Sequence, residues 1–327
     1  MKQKYQLSDL AKCKIAVLCG GTSNEREISL ISGKYVYQAL KESSLNLDVT
    51  KIDTKDYNLL DLKAQGYNLV FNILHGRCGE DGQIQGFLDT LGIKYTGCRV
   101  LQSALTLDKL FTKRIWQACG VNTGKCLEFT AEQILNQSAQ VNVDAIVEQL
   151  GLPLFVKPNV EGSSIGITKV KTKEDLYPAL VTAAKIDQHI LVEAFIDGKE
   201  YSVPVLNGKA LAPIEIIVDS SYDFYNYEAK YFADNTKYVC PAELSQEQTQ
   251  QIQELAEQAA RAVGIKSWCR VDVLSNSQGE FFALEVNTNP GMTTHSLFPM
   301  AAQHAGMSYI DLCLHILLDA LNDVELS

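Results

Sequence analysis

No apolar run in this 327-residue chain approaches the length of a membrane span, and the longest early one, Ile15–Cys19, is too short for an export signal. A dense basic run is also missing. Lys+Arg 29 against Asp+Glu 39 leaves a net charge of −10, so neither nucleic acid nor an anionic membrane is an expected partner. The nine cysteines contain no C-x-x-C pair. Cys13, Cys19, Cys119, Cys269 and Cys313 stand in apolar contexts and read as small core residues of a reducing, cytoplasmic compartment. G-x-G-x-x-G is absent, which removes the dinucleotide fingerprint, and Ser296 is not framed by a G-x-S-x-G elbow that would make it a nucleophile. Repeats and low-complexity segments are absent too. What remains, 46% apolar and 21% charged residues, is the composition of an ordinary globular protein of two or three domains.

The elements change character along the chain. Lys14–Cys19 reads as a buried strand, Leu47–Ile52 and Asn68–Leu74 read as a second and a third strand, and GGTSNERE leads from the first into a helix over 28–40. HGRCGEDG (75–82) follows the third and leads to a short helix ending at Leu91. This is a parallel α/β unit, residues 1–108, whose first twelve residues have no assignable role. A second, α+β unit spans 109–199. It opens in a periodic segment over 103–119 that holds Asp108 and Lys109, and continues with a helix over 131–150. Strands at 125–129, 154–158, 167–169 and 190–195 complete it. The third unit, 200–327, opens with two strands paired across Asn207–Gly208, a strong hairpin turn. It continues through the tyrosine-dense stretch 219–239, which reads as a lid or recognition loop. A helix over 245–263, capped by Ser245 with Gln248, follows.

The third unit also holds CRVDVLSNSQGEFFALEVNTN (269–289), two strands around a turn at 276–279. Period-2 alternation puts Arg270 and Asp272 on one face of the first strand, and Glu285 and Asn287 on one face of the second. With Leu274 opposite Phe281, Asp272 would face Ala283 and Arg270 would face Glu285. Two readings stand. The two carboxylates and the amide hold a hard divalent cation, or the carboxylates merely pair with arginines.

Other stretches carry similar pairs of readings. NVEGSSIG (159–166) follows Lys157, which ends a strand before the glycines. A Walker A loop has its lysine after them, so this one reads either as a mobile β-turn lid donating to phosphate from backbone N–H groups, Ser163 and Ser164, or as a plain surface hairpin. Glu193 with Ala194, Phe195 and Ile196 resembles a strand edge that accepts adenine, with Glu200 near a ribose; solvated strand-end acids are the alternative. Glu25 enters the first helix and suits an ammonium group or simply the helix N-terminus. His75, at the strand–loop junction, holds a substrate carboxylate or is a satisfied structural histidine. GMTTHSL (291–297) presents hydroxyl and N–H groups that suit a carboxylate.

In order, GGTSNEREISLISG, LHGRCGEDGQIQG, VKPNVEGSSIG, YEAKY, RVDV and LEVNTNPGMTTHS resemble the D-alanine–D-alanine ligases of the ATP-grasp superfamily, over about Lys14 to Leu321. The resemblance implies a three-domain ATP-grasp fold with a Rossmann-like N-terminal domain. It implies ATP-dependent ligation of two D-alanines through an acyl phosphate, for peptidoglycan precursors, by a cytoplasmic homodimer. By the same resemblance Lys109, Lys157 and Lys230 would hold phosphates with Ser163 and Ser164, and Glu193, Ala194, Phe195 and Ile196 would take adenine. Glu200 would take ribose, and Asp272, Glu285 and Asn287 two Mg²⁺ or Mn²⁺ ions. Arg270 would stabilise the transferring phosphoryl group. Glu25 and His75 would receive the first D-alanine, and Ser296 with the Leu297 N–H the second. Tyr231 and Ser163 would link to Glu25 and close the site. Three positions depart from the family pattern: Cys78 in place of a glycine, Asn289 in place of a serine, and Thr106 in place of a methionine. The rivals are a ligase joining D-alanine to D-lactate or D-serine, against which Tyr231 speaks, and a silent nucleotide-binding protein, against which the intact charged set speaks.

Overall fold

The computed structural model describes residues 4–136, 141–162, 164–219, 221–225, 230 and 235–323. Its first sheet is parallel, in the order β2-β1-β3-β4, from β1 (Lys14–Cys19), β2 (Asp48–Asp53), β3 (Leu69–Asn72) and β4 (Lys94–Tyr95). Both faces are covered, as parallel sheets require. Ile15, Val17 and Cys19 point into one core with α1 (Arg26–Glu42), whereas Ala16 and Leu18 point into another with α2 (Asp61–Ala64) and α3 (Gln83–Leu91). At Gly20, with φ +75°, a Cβ would stand 2.3 Å from Asp53 Oδ1, so the turn into α1 can close over the Arg26–Asp53 ion pair only with glycine there.

The periodic segment over 103–119 is two helices, α4 (Val100–Leu107) and α5 (Lys109–Ala118). Asp108 separates them because its side chain accepts the Phe111 N–H at 2.9 Å and caps the second. The expected helix over 131–150 is likewise α6 (Ala131–Leu135) and α7 (Val143–Leu150).

A second, antiparallel sheet has the order β5-β8-β6-β7, from β5 (Cys126–Thr130), β6 (Leu154–Pro158), β7 (Thr168–Val170) and β8 (His189–Ala194). Leu154, Val156, Val170, Ile190 and Val192 pack against α6 to α8, α8 being Lys173–Ala184. The opposite face presents Phe155, Lys157, Lys169 and Glu193 to a cavity.

The third sheet runs β12-β11-β9-β13-β14, with β10 (Lys209–Ala210) beside β9 (Glu200–Leu206). Asn207 and Gly208 take φ of 50° and 74°, the expected turn. β11 (Ile214–Ile217), β12 (Lys237–Val239), β13 (Trp268–Ser275) and β14 (Phe281–Asn287) complete the sheet. Tyr201, Val203, Cys269, Val271 and Val273 face α9 (Gln246–Ala262), whose N-cap Ser245 forms the capping box with Gln248.

The last two helices, α10 (Leu297–His304) and α11 (Tyr309–Asn322), do not only close the third unit. Phe298, Leu312 and Leu317 share a core with Ile15 and Phe71 of the first sheet. The first residues have a role as well: Leu10 is fully buried in that core, and the Tyr5 N–H donates to Asn322 Oδ1 at 2.8 Å. Of the cysteines expected inside, Cys119 is exposed at the end of α5, because the helix stops there and its side chain faces water; all nine cysteines are free. No helix of the described residues is long and apolar enough to cross a membrane.

Candidate active site

The hairpin β13–β14 departs from strict alternation. Ser275, Leu274 and Val273 lie opposite Phe281, Phe282 and Ala283, but Asp272 then pairs with Glu285 and Arg270 with Asn287. Leu284 is the extra residue of a β-bulge. The expected facing of Asp272 with Ala283 and of Arg270 with Glu285 is therefore wrong, and the reason is packing. Phe281 and Ala283 point into the core with α9, so unbroken alternation would bury Glu285 and Asn287 beside them. The bulge inverts the phase, Val286 takes the core position, and four polar side chains gather on the outer face.

On that face Asp272 is fully engaged. Arg270 donates from Nε and Nη2 to its two oxygens, both at 2.8 Å, Ser202 Oγ donates at 2.9 Å, and Asn287 Nδ2 at 3.1 Å. A carboxylate has about four lone-pair sites, so a cation would have to displace one of these donors. Asp272 thus follows the arginine-pairing reading in this state. Glu285 is different. Burial alone would raise its carboxyl, but Lys109, Lys230, Lys157 and Arg270 outweigh burial and hold it at about 2. Lys109 Nζ is 3.9 Å from Glu285 Oε2 and donates to the Glu161 carbonyl at 2.8 Å. Among the described residues no three His, Cys, Asp or Glu side chains converge. The candidate set is two opposed carboxylates and an amide, an all-oxygen set that suits Mg²⁺ or Mn²⁺ once Asn287 turns its oxygen inward.

Two cavities flank this face. The smaller, about 490 Å³, is lined by Lys109, Lys157, Ser164, Glu193, Phe195 and Glu200 among others. Lys157 contacts Glu193, which also lies 2.7 Å from Lys113 Nζ. Glu193 is only 4% exposed, which removes the reading of a solvated strand-end acid. Ala194 spends its N–H on the Lys125 carbonyl at 3.0 Å, so that donor is not available to a base; Phe195 and Ile196 continue the cavity wall. Glu200 is pushed up to about 7 by burial, with Asp272 and Glu285 adding to the effect and Lys230 opposing it. Ser164 takes φ +60° and donates to the Tyr225 carbonyl at 3.2 Å. Ser163 and Tyr231 lie outside the described residues.

The larger cavity, about 670 Å³, is lined by Glu25, His75, Glu80, Arg270, Asn287 and Ser296 among others. The Glu25 carboxylate lies between two loops. A Cβ on Gly76 or on Gly162 would come within 2.9 Å of its Oε2, so a side chain at either position would push the carboxylate aside, and the φ of +67° at Gly76 favours glycine there in any case. His75 is 6% exposed and its Nε2 finds no hydrogen-bond partner. Burial lowers its pKa, against the opposing charge of Glu25, which keeps the imidazole neutral. A satisfied structural histidine is not what the structure shows. Ser296 stands at the N-cap position of α10 but makes no side-chain cap; its Oγ accepts the Thr293 N–H at 2.9 Å, and Leu297 opens the helix at its positive end.

The cavities share Lys109, Tyr225, Lys230 and Glu285. Lys230 Nζ stands 5.0 Å from the Tyr225 ring centroid, and the Tyr225 and Tyr238 hydroxyls are 2.8 Å apart. Sequence reasoning missed Lys113, Glu80, Tyr225 and Tyr238. The helical spacing of Lys109 and Lys113, one turn apart, was the signal for the first. Glu80 accepts N–H groups from Gly76 at 2.6 Å and Asn289 at 3.1 Å, and burial, with Glu25 adding, pushes it up to about 8.

Comparison with known proteins agrees with this architecture. The families described as D-ala D-ala ligase C-terminus and D-ala D-ala ligase N-terminus match residues 115–318 and 59–98. The chain is 49% identical to the D-alanine–D-alanine ligase of Actinobacillus pleuropneumoniae serotype 5b over 93% of this chain and 97% of that protein. With the Haemophilus influenzae enzyme it shares 48% identity, over 92% and 99%. The crystal structure of the Bacillus anthracis ligase complexed with ATP superposes with a TM-score of 0.79 at 29% identity, covering 94% of this chain and 97% of that one. A second structure of that enzyme gives 0.80 at 32% over the same shares.

Proposed function

The chain belongs to the D-alanine–D-alanine ligase family, and from that premise we propose how its side chains divide the work. The enzyme joins two D-alanines at the expense of ATP, for peptidoglycan synthesis. ATP lies in the smaller cavity, the base against Glu193 and the backbone of Phe195–Ile196, and the ribose on Glu200. Lys109, Lys157 and Lys230 take the phosphates with Ser163 and Ser164. The first D-alanine sets its ammonium on Glu25 beside His75, and the second its carboxylate on Ser296 and the Leu297 N–H. Tyr231, Ser163 and Glu25 close the site.

The first carboxylate attacks the γ-phosphorus, ADP leaves, and a D-alanyl phosphate forms. The second amine, having given up a proton, attacks the activated carbonyl, and phosphate departs from the tetrahedral intermediate. Arg270 stabilises the charge that develops on the transferring oxygens. Asp272, Glu285 and Asn287 would hold two Mg²⁺ or Mn²⁺ ions, which when bound neutralise polyphosphate charge. A closed site keeps water from the acyl phosphate. We place the enzyme in the cytoplasm as a homodimer of chains with units at 1–108, 109–199 and 200–327.

One observation carries this reading: Lys109, Lys230 and Glu285 are common to both cavities, so the polyphosphate end of one ligand meets the carboxyl end of the other. The test is product identification with ATP and D-alanine, D-lactate and D-serine offered in competition. D-alanyl-D-alanine is expected as the main product; a depsipeptide, or a dipeptide ending in serine, would overturn the assignment.

A further inference from the structure

Lys113 has no task in the reaction as described, yet it is buried in the wall of the nucleotide cavity. It is 2% exposed, and neighbouring Lys157 and Glu193 are 5% and 4% exposed. Its ammonium stands 2.7 Å from Glu193 Oε1 and donates to Thr123 Oγ1 at 2.8 Å. Thr123 Oγ1 donates onward to the Ala283 carbonyl at 2.7 Å, which fastens the arrangement to β14, the strand that carries Glu285. Lys157 sits against the other oxygen of the same carboxylate. One anion therefore lies between two cations, all three shielded from water.

The two lysines differ in freedom. Lys113 is tied twice, to Glu193 and, through Thr123, to the sheet. Lys157 has Glu193 as its ion-pair partner and faces the cavity floor. An incoming polyphosphate competes with Glu193 for Lys157. If Glu193 had Lys157 as its sole counter-ion, that exchange would strand a buried carboxylate, which is costly.

We propose that Lys113 is a positioning residue for nucleotide binding: it is the fixed counter-ion that keeps Glu193 charged and in place, and so lets Lys157 leave the carboxylate for the phosphates. Burial alone would raise the Glu193 carboxyl, and the two lysines, Lys113 ahead of Lys157, more than cancel that. The inference rests on Lys157 binding phosphate, as proposed above.

The experiment is a double-mutant cycle on the full-length enzyme, Lys113→Met and Glu193→Gln singly and together, with Lys157→Met in parallel. ATP KM, D-alanine KM and thermal unfolding are read for each. Lys113→Met should raise ATP KM on the order of tenfold or more, leave D-alanine KM within about twofold, and be rescued by Lys113→Arg. In the E193Q background the same substitution should change ATP KM by less than about twofold, because no carboxylate then holds Lys157 back. This comparison stands even where Lys113→Met alone does not fold. A folded Lys113→Met enzyme with parental ATP KM, or an equal loss in both backgrounds, overturns the proposal. Parental ATP KM in Lys157→Met would instead remove the phosphate assignment of Lys157, and this inference with it.

Discussion

Replacing Asn289 should separate amino-acid binding from nucleotide binding. Asn289 is 4% exposed, and its Nδ2 donates to the Leu74 carbonyl at 3.1 Å, one residue before His75. Its own N–H donates to Glu80 Oε1 at 3.1 Å. The residue thus ties the loop after β14 to the loop after β3, and these two loops frame the larger cavity. Gly97 makes room for it: a Cβ there would stand 3.2 Å from Asn289 Oδ1. Asn289→Ala leaves the main-chain bond to Glu80 but removes the donor to Leu74. A buried carbonyl without its partner costs about 1–3 kcal/mol. In a chain of this size that corresponds to a fall in Tm of several degrees, at roughly 2–4 °C per kcal/mol or less. His75 moves with the Leu74 carbonyl, so D-alanine KM should rise several-fold while ATP KM stays within about twofold. Asn289→Ser, the residue the family resemblance suggests, should show the same effects at smaller size, since its hydroxyl is too short to reach Leu74 without loop movement. Calorimetry and initial rates at saturating ATP check this. Parental Tm together with parental D-alanine KM in Asn289→Ala would refute the role of the tie.

Two other outcomes follow from the charges. The Glu200 carboxyl is raised to about 7, above an ordinary value of 4.5, so between these pH values the folded protein keeps a proton that the unfolded chain loses. Stability therefore declines as pH climbs through that window, by up to about 3 kcal/mol in full above pH 7. Glu200→Gln should recover up to that amount at pH 8 and nothing near pH 4.5 in urea denaturation; an equal gain at both would contradict the sign. Asp272→Ala should abolish turnover and also cost about 3–5 kcal/mol of ligand-free stability, because Arg270 loses its two-point partner in a buried setting. A variant as stable as the parent would show that the pair has no structural weight.

Much of the fold was legible in local patterns. The continuous apolar run Ile15–Cys19 announced a sheet buried on both faces, and Ser245 with Gln248 announced the start of α9. Asn207–Gly208 announced its hairpin. The failures are equally physical. Strict alternation cannot foresee the bulge at Leu284, since the phase change answers to α9 packing beneath Phe281 and Ala283. Periodicity alone places Asp108 beside Lys109 within one segment, yet its cap on Phe111 breaks that segment in two. The early residues gave no signal of docking, because their partners are some three hundred positions away in α11. The sequence offers Glu193 as part of an adenine-accepting strand edge or as a solvated strand-end acid, and neither reading includes its lysine partners. That it lies between Lys113 and Lys157 depends on a helix and two strands meeting, which no local pattern records.

The ligand-free pairing also bears on how a chain with ten excess negative charges gathers cations around a polyphosphate. Three of the four cations proposed to touch phosphate already have a carboxylate beside them, Lys109 beside Glu285, Lys157 beside Glu193 and Arg270 on Asp272, and Lys230 stands over the Tyr225 ring. Lys109, Lys157 and Arg270 are therefore not bare buried charges, which would carry a desolvation penalty. A nucleotide arriving with divalent cations brings both kinds of replacement partner. On the proposed assignment its phosphates would attract the lysines and the arginine, and the carboxylates released, Asp272 and Glu285, would be the ones to receive the accompanying cations. Glu193 would face no such replacement, since the face proposed to hold cations lies on β13 and β14. It is the one acid of the three that needs a permanent counter-ion, and it is the one beside Lys113.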